Sequence, residues 1–139
     1  MRGFCYFTPE EHETRLNNVR SKMEENSFDA IRSLTDKMVE SVSYCICAPE
    51  YNGSIPPVVT NAIAWISVTT DYWKDAFRNK HALIGSSSGG PATKYQDAIK
   101  NQLIHLGSIV YKENIIINSS NNFDKTKSKK IINQFINLL

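Results

Sequence analysis

Two short runs hold the residues best suited to chemistry: Pro49-Glu50-Tyr51-Asn52-Gly53-Ser54, and Ser86-Ser87-Ser88-Gly89-Gly90-Pro91 further along. The first combines an aromatic face (Tyr51), an amide (Asn52) and a glycine suited to a tight turn. A helical pattern follows at once, and a helix N-terminus carries about half a positive charge. In the second run, Gly-Gly permits positive φ angles and close backbone approach to a ligand, and three serines offer hydroxyls. Taken alone, that run reads as a flexible strand-to-helix connection. Together the two could hold a flat, hydrogen-bonding, electron-accepting ring against aromatic and backbone groups.

Other reactive residues give less. The three cysteines, Cys5, Cys45 and Cys47, are an odd count without a framework of spacings, which predicts a reducing, cytoplasmic setting. Cys45 and Cys47 stand two apart in "SYCICA", so on a strand they share one face; they are expected to be buried small hydrophobes. His12, His81 and His105 lie far apart with no ligand spacing, so no metal site is expected. A formal charge of +2 argues for neither nucleic acid nor an anionic membrane as partner. Lys125, Lys127, Lys129 and Lys130 read as the solvated opening of a last helix, with no interleaved aromatics for stacking. No run is long and apolar enough to span a bilayer, and "MRGFCYFTPEEHE" lacks a signal-peptide apolar region.

Something must position the two runs. At 139 residues the chain reads as one domain, 1–139, with an ordinary globular composition. "FCYF" (4–7) is a candidate strand. A helix over 9–25 carries His12, Leu16, Val19 and Met23 at helical spacing, and one over 27–41 carries Phe28, Ile31, Leu34 and Met38. "VSYCICA" (42–48) is a near-continuous apolar run, the mark of a strand covered on both faces. Val58, Val59, Ala62, Ile63 and Ile66 then repeat as an amphipathic helix, with Ser54 as its expected cap and Pro56 and Pro57 in its first turn. "HALIGSSS" (81–88) predicts the next strand. A helix follows with Tyr95, Ile99, Leu103 and Leu106 on one stripe, closed by Gly107. "SIVYKENIII" (108–117) reads as a split last strand, and Ile131, Ile132, Phe135, Ile136 and Leu139 as a closing helix. This alternation predicts an α/β fold: a parallel sheet with helices on both faces, residues 42–47, 82–85 and 108–117 being adjacent strands. In such sheets ligands bind beyond the carboxyl ends of the strands, where both runs fall.

At these residues the chain resembles a known family. "APEYNGSIPPVVTNAIAWIS" (48–67) resembles the most characteristic segment of the NADPH-dependent FMN reductases, flavodoxin-like proteins that include quinone, azo-compound and chromate reductases. "KHALIGSSSGGPATKYQDAIKNQLIHLGSIVYKENIIINSSNNFD" is similar to the family's later part in order and spacing. The resemblance covers residues 28 to 139. It implies that Pro49, Glu50, Tyr51, Asn52, Gly53 and Ser54 lie along the isoalloxazine and ribityl chain of FMN. It implies that Ser87, Ser88, Gly89 and Gly90 flank the same cofactor. It further implies hydride delivery by NAD(P)H to the flavin, then two-electron reduction of a small-molecule acceptor such as a flavin or quinone. The cofactor carries that chemistry, so no acid–base dyad is needed and none is visible. A homodimer or homotetramer is expected, with the helix after the Tyr51 run near the interface.

One family feature has no counterpart. Members begin with a hydrophobic strand and a Gly/Ser/Arg/Ser loop for the FMN phosphate, whereas here "FCYF" leads into "TPEEHETR", whose Glu10, Glu11 and Glu13 would repel a phosphate. Either "FCYF" matches the second strand of an N-terminally truncated domain, or it replaces the first with a failed phosphate loop. The helix at 27–41 favours the former. Binding mainly through the flavin ring is then expected, and a non-catalytic remnant or interaction module is the alternative.

Overall fold

The computed structural model describes residues 8–25 and 29–139; the candidate strand at 4–7 and Phe28 lie outside the described residues. Among the described residues five helices and four strands alternate much as the apolar spacing predicts. They are α1 (Pro9–Glu25), α2 (Asp29–Glu40), β1 (Ser43–Cys47), α3 (Pro57–Thr69), β2 (His81–Ser87), α4 (Thr93–His105), β3 (Ile109–Val110), β4 (Ile115–Ile117) and α5 (Lys125–Ile136). A short 3₁₀ turn, Trp73–Ala76, was not legible in the sequence.

β2 is the central strand. It pairs in parallel with β1 (Cys45 opposite Leu83, Cys47 opposite Gly85) and, on its other edge, with β3 and β4, two pieces of one interrupted strand. All of Ala82 to Ser86 is buried, as a parallel strand covered on both faces requires. Ala82 and Ile84 join Ile63, Ile66, Phe77, Tyr95, Ile99 and Leu103 in the main core under α3 and α4, with Ile31 and Met38 of α2 packed against it. Leu83 faces the other way and packs against Ile131 and Phe135 of α5. A hydrogen-bonded chain crosses the base of the sheet: Tyr44 bonds Ser108, whose hydroxyl donates to the Phe77 carbonyl at 2.9 Å.

β1 departs from expectation. Tyr44 and Ile46 pack against the core, but Cys45 and Cys47 are exposed, as is Val42. The cause is the placement of the helices. α5 packs its Ile131 and Phe135 on Leu83 of β2, and α1 lies against α3, where the Arg20 guanidinium donates to the Val68 carbonyl at 3.2 Å and pairs with Asp71. The two cysteines share one strand face as expected; they are not core residues.

Helix ends follow local chemistry. Pro56 occupies the N-cap of α3 and Pro57 its first turn, where a missing N–H costs nothing. Ser54 lies two residues before that cap and makes no capping bond, because it is committed to the preceding turn. Gly107 ends α4 at φ +94°, a left-handed position that glycine adopts without strain. Asp124 caps α5, accepting from the amides of Thr126 and Lys127. The lysines that follow are exposed, as predicted. Lys80 donates to the carbonyls of Val39 and Ser41, closing the end of α2.

Candidate functional site

Both runs lie beyond the carboxyl ends of adjacent strands, β1 and β2. In the first, Tyr51 and Ser54 exchange backbone hydrogen bonds at 3.1 and 2.9 Å across Asn52 and Gly53. Asn52 has φ 49° and Gly53 φ 72°, so Asn-Gly makes the mirror-image hairpin turn that needs two left-handed residues. Ser54 and Gly53 close the turn that lifts Tyr51 into solvent, where the residue is 57% exposed.

Glu50 fixes the loop to the rest of the protein. Its Oε2 accepts from the Tyr95 amide at 2.9 Å, at the head of α4, where helix amides lack intrahelical partners and a negative charge is favoured. Lys94, next to it, runs its side chain over Gly53; a Cβ on Gly53 would stand 3.0 Å from Lys94 Cδ. Tyr95 is wholly buried beneath, and burial pushes its phenol up to about 12. Pro49 is partly buried in the lead-in to the turn.

The second run leaves β2 and enters α4. Ser88 donates its amide to the Ile117 carbonyl at 3.1 Å, and Ser119 donates its hydroxyl to the Gly89 carbonyl at 3.1 Å. Ser87, Gly89 and Gly90 are exposed. The glycines do not serve the predicted purpose in the chain itself: neither has a positive φ, and the left-handed residue here is Ala92, at φ 53°. What they provide is room, since a Cβ on either would meet nothing within 4 Å.

The two runs thus meet through the head of α4 and, among the described residues, exchange no hydrogen bond with each other. No protein acceptor pairs with the amides of Asn52, Gly53, Gly89 or Gly90 among the described residues. The Ser86 hydroxyl, buried at the end of β2, also lacks a partner. Unpaired donors, an exposed aromatic face and open space above two glycines fit a flat polar ring.

Sequence reasoning missed Lys94 and the role of Tyr95. Glu50 stands 45 residues before Tyr95, and nothing local marks which helix it will meet. Behind the site, Cys45 Sγ and Cys47 Sγ lie 3.5 Å apart in a shared hydrogen bond. That bond lowers the Cys47 thiol to about 6 and pushes Cys45 up, because the pair holds one proton jointly. Among the described residues no three His, Cys, Asp or Glu side chains gather as a metal site, and no helix is long and apolar enough to cross a membrane.

A family model described as NADPH-dependent FMN reductase matches residues 5–122. Among solved structures, the chain is similar to FerB, a flavoenzyme NAD(P)H:(acceptor) oxidoreductase from Paracoccus denitrificans. Identity is 24%, with a TM-score of 0.64 over 84% of this chain and 70% of that one. It is also similar to the Trp repressor binding protein from Bacillus subtilis, at 16% identity and a TM-score of 0.53 over 80% and 72%. No curated protein matches the chain significantly.

Proposed function

The chain belongs to the NADPH-dependent FMN reductase family, a family of oxidoreductases on a flavodoxin-like fold, and from that premise we propose that it reduces a small acceptor through FMN held between its two loops. When bound, FMN supplies the two-electron step, taking hydride from NAD(P)H and passing reducing equivalents to a flavin, quinone or similar acceptor. The chain's own residues bind and orient. Tyr51 offers its ring as one wall. Asn52, Gly53, Ser54 and, across the site, Ser87, Ser88, Gly89 and Gly90 offer amides and hydroxyls for the polar edge of the ring. Pro49 and Glu50 hold the first loop in place, and Lys94 adds a cation beside it.

The observation that carries this reading is the Glu50–Tyr95 bond. It ties a rigid Asn-Gly hairpin to the helix that follows the glycine loop, so both walls are built from one frame. The test is NADPH oxidation by purified protein supplied with FMN and a simple quinone. Turnover that requires both FMN and quinone and falls in Tyr51→Ala is expected; turnover indifferent to added FMN in protein free of flavin would contradict it.

A second reading, a flavodoxin-like interaction module, is favoured by the exposure of Val42, Cys45 and Cys47 along β1. Flavin titration separates the two, since a module needs no flavin.

A further inference from the structure

Cys45 and Cys47 stand on the exposed face of β1 with their sulfurs 3.5 Å apart. Gly85, opposite Cys47 on β2, leaves the space that sulfur occupies: a Cβ there would lie 2.5 Å from Cys47 Sγ. A pair of close thiols can join as a disulfide or chelate a third atom. The strand opposes the first. Same-face neighbours in a strand are about 6.6 Å apart at Cα, near the upper limit for a disulfide, and the sulfurs stand 3.5 Å apart where an S–S bond needs about 2.05 Å. β1 is held in register with β2 at all of Ser43 to Cys47, so it cannot bend freely to close that gap.

Chelation asks for no movement. A centre that bonds thiolate sulfur at about 2.3 Å spans a 3.5 Å bite at an S–centre–S angle of about 100°. That is far from the linear geometry of a two-coordinate ion and close to the pyramidal angle of a trivalent metalloid. The ligand count agrees. Among the described residues no third His, Cys, Asp or Glu joins the pair, so these residues offer a tetrahedral ion only half a shell. A trivalent arsenical with one organic substituent needs two thiols. We infer that Cys45 and Cys47 form a dithiol site for monosubstituted trivalent arsenicals. In the capture step an arsine oxide, R–As=O, meets two S–H groups. Two As–S bonds form, the As=O and both S–H bonds break, and one water leaves carrying both protons. Arsenic stays trivalent and no electron is transferred.

Phenylarsine oxide titrated into the full chain tests this by intact mass and thiol counting. A one-to-one adduct is expected that masks two thiols, survives a monothiol wash and is released by a small dithiol. Cys45→Ser and Cys47→Ser should each weaken it at least 100-fold, and Cys5→Ser should not. An adduct that persists in either of the first two variants, or disappears in the third, would overturn the assignment. So would ready oxidation of the wild type to a Cys45–Cys47 disulfide. Should the serine variants fold poorly, the tryptic map of the wild-type adduct decides: the added mass must fall on the peptide between Lys37 and Lys74.

Discussion

Tyr51 and Glu50 are neighbours with opposite duties. The Tyr51 ring is largely in solvent, so Tyr51→Ala should leave thermal stability within about 0.5 kcal/mol of the parent. A stacking partner is worth about 0.5–1.5 kcal/mol, so the same change should weaken flavin binding about 2- to 10-fold, read by fluorescence titration. Glu50→Ala does the reverse. It leaves the Tyr95 amide unpaired at the head of α4 and should cost about 1–2 kcal/mol, a fall of roughly 4 °C in Tm per kcal/mol in a calorimeter. Tyr51, Asn52 and Gly53 were legible as turn and site residues because Asn-Gly and an aromatic carry their chemistry locally. The Glu50–Tyr95 bond was not, because 45 residues separate its partners and only the folded sheet brings them together. Ser54 misled for a related reason: its type suits a cap, but the hairpin bond to Tyr51 claims it first.

Strand β2 shows what an element needs from its neighbours. Gly85 sits in a fully covered strand with the Cys47 sulfur packed into the place of its missing side chain. Gly85→Ala should therefore destabilise the fold by about 1–3 kcal/mol through overpacking. Adding Cys47→Ala should restore most of that loss, measured by urea denaturation of the single and double variants; an equal loss in both would place the strain elsewhere. The alternation of apolar runs gave the helices and the parallel strands close to their true limits, since periodicity reports the faces an element buries. It could not report that β1 would be covered on one face only. An apolar strand such as "VSYCICA" predicts burial in general, while coverage depends on where α1 and α5 come to rest. The cysteine pair was misread on that account.

At the scale of the whole molecule, the outer side of α3 and the segment after it remain apolar. Val58 is 74% exposed, and Trp65 and Tyr72 are partly so, whereas Phe77 is in the core and Trp73 packs against it. Exposed apolar groups on this helix and the segment after it suit subunit pairing, as expected of the helix that follows the Tyr51 run. Light scattering at micromolar concentration should give the mass of a dimer or tetramer, and Val58→Lys should shift it toward the monomer; a wild-type monomer would refute this. Assembly and acceptor are secondary to the claim that the two loops form one flavin site. FMN fluorescence titration of the purified chain, beside Tyr51→Ala and Gly53→Val, tests that claim most directly. Gly53→Val places a branched side chain at φ 72° against Lys94 and should distort the hairpin. Saturable one-to-one quenching, weakened in both variants, is predicted. No quenching by the wild type, or equal binding by all three proteins, would contradict it.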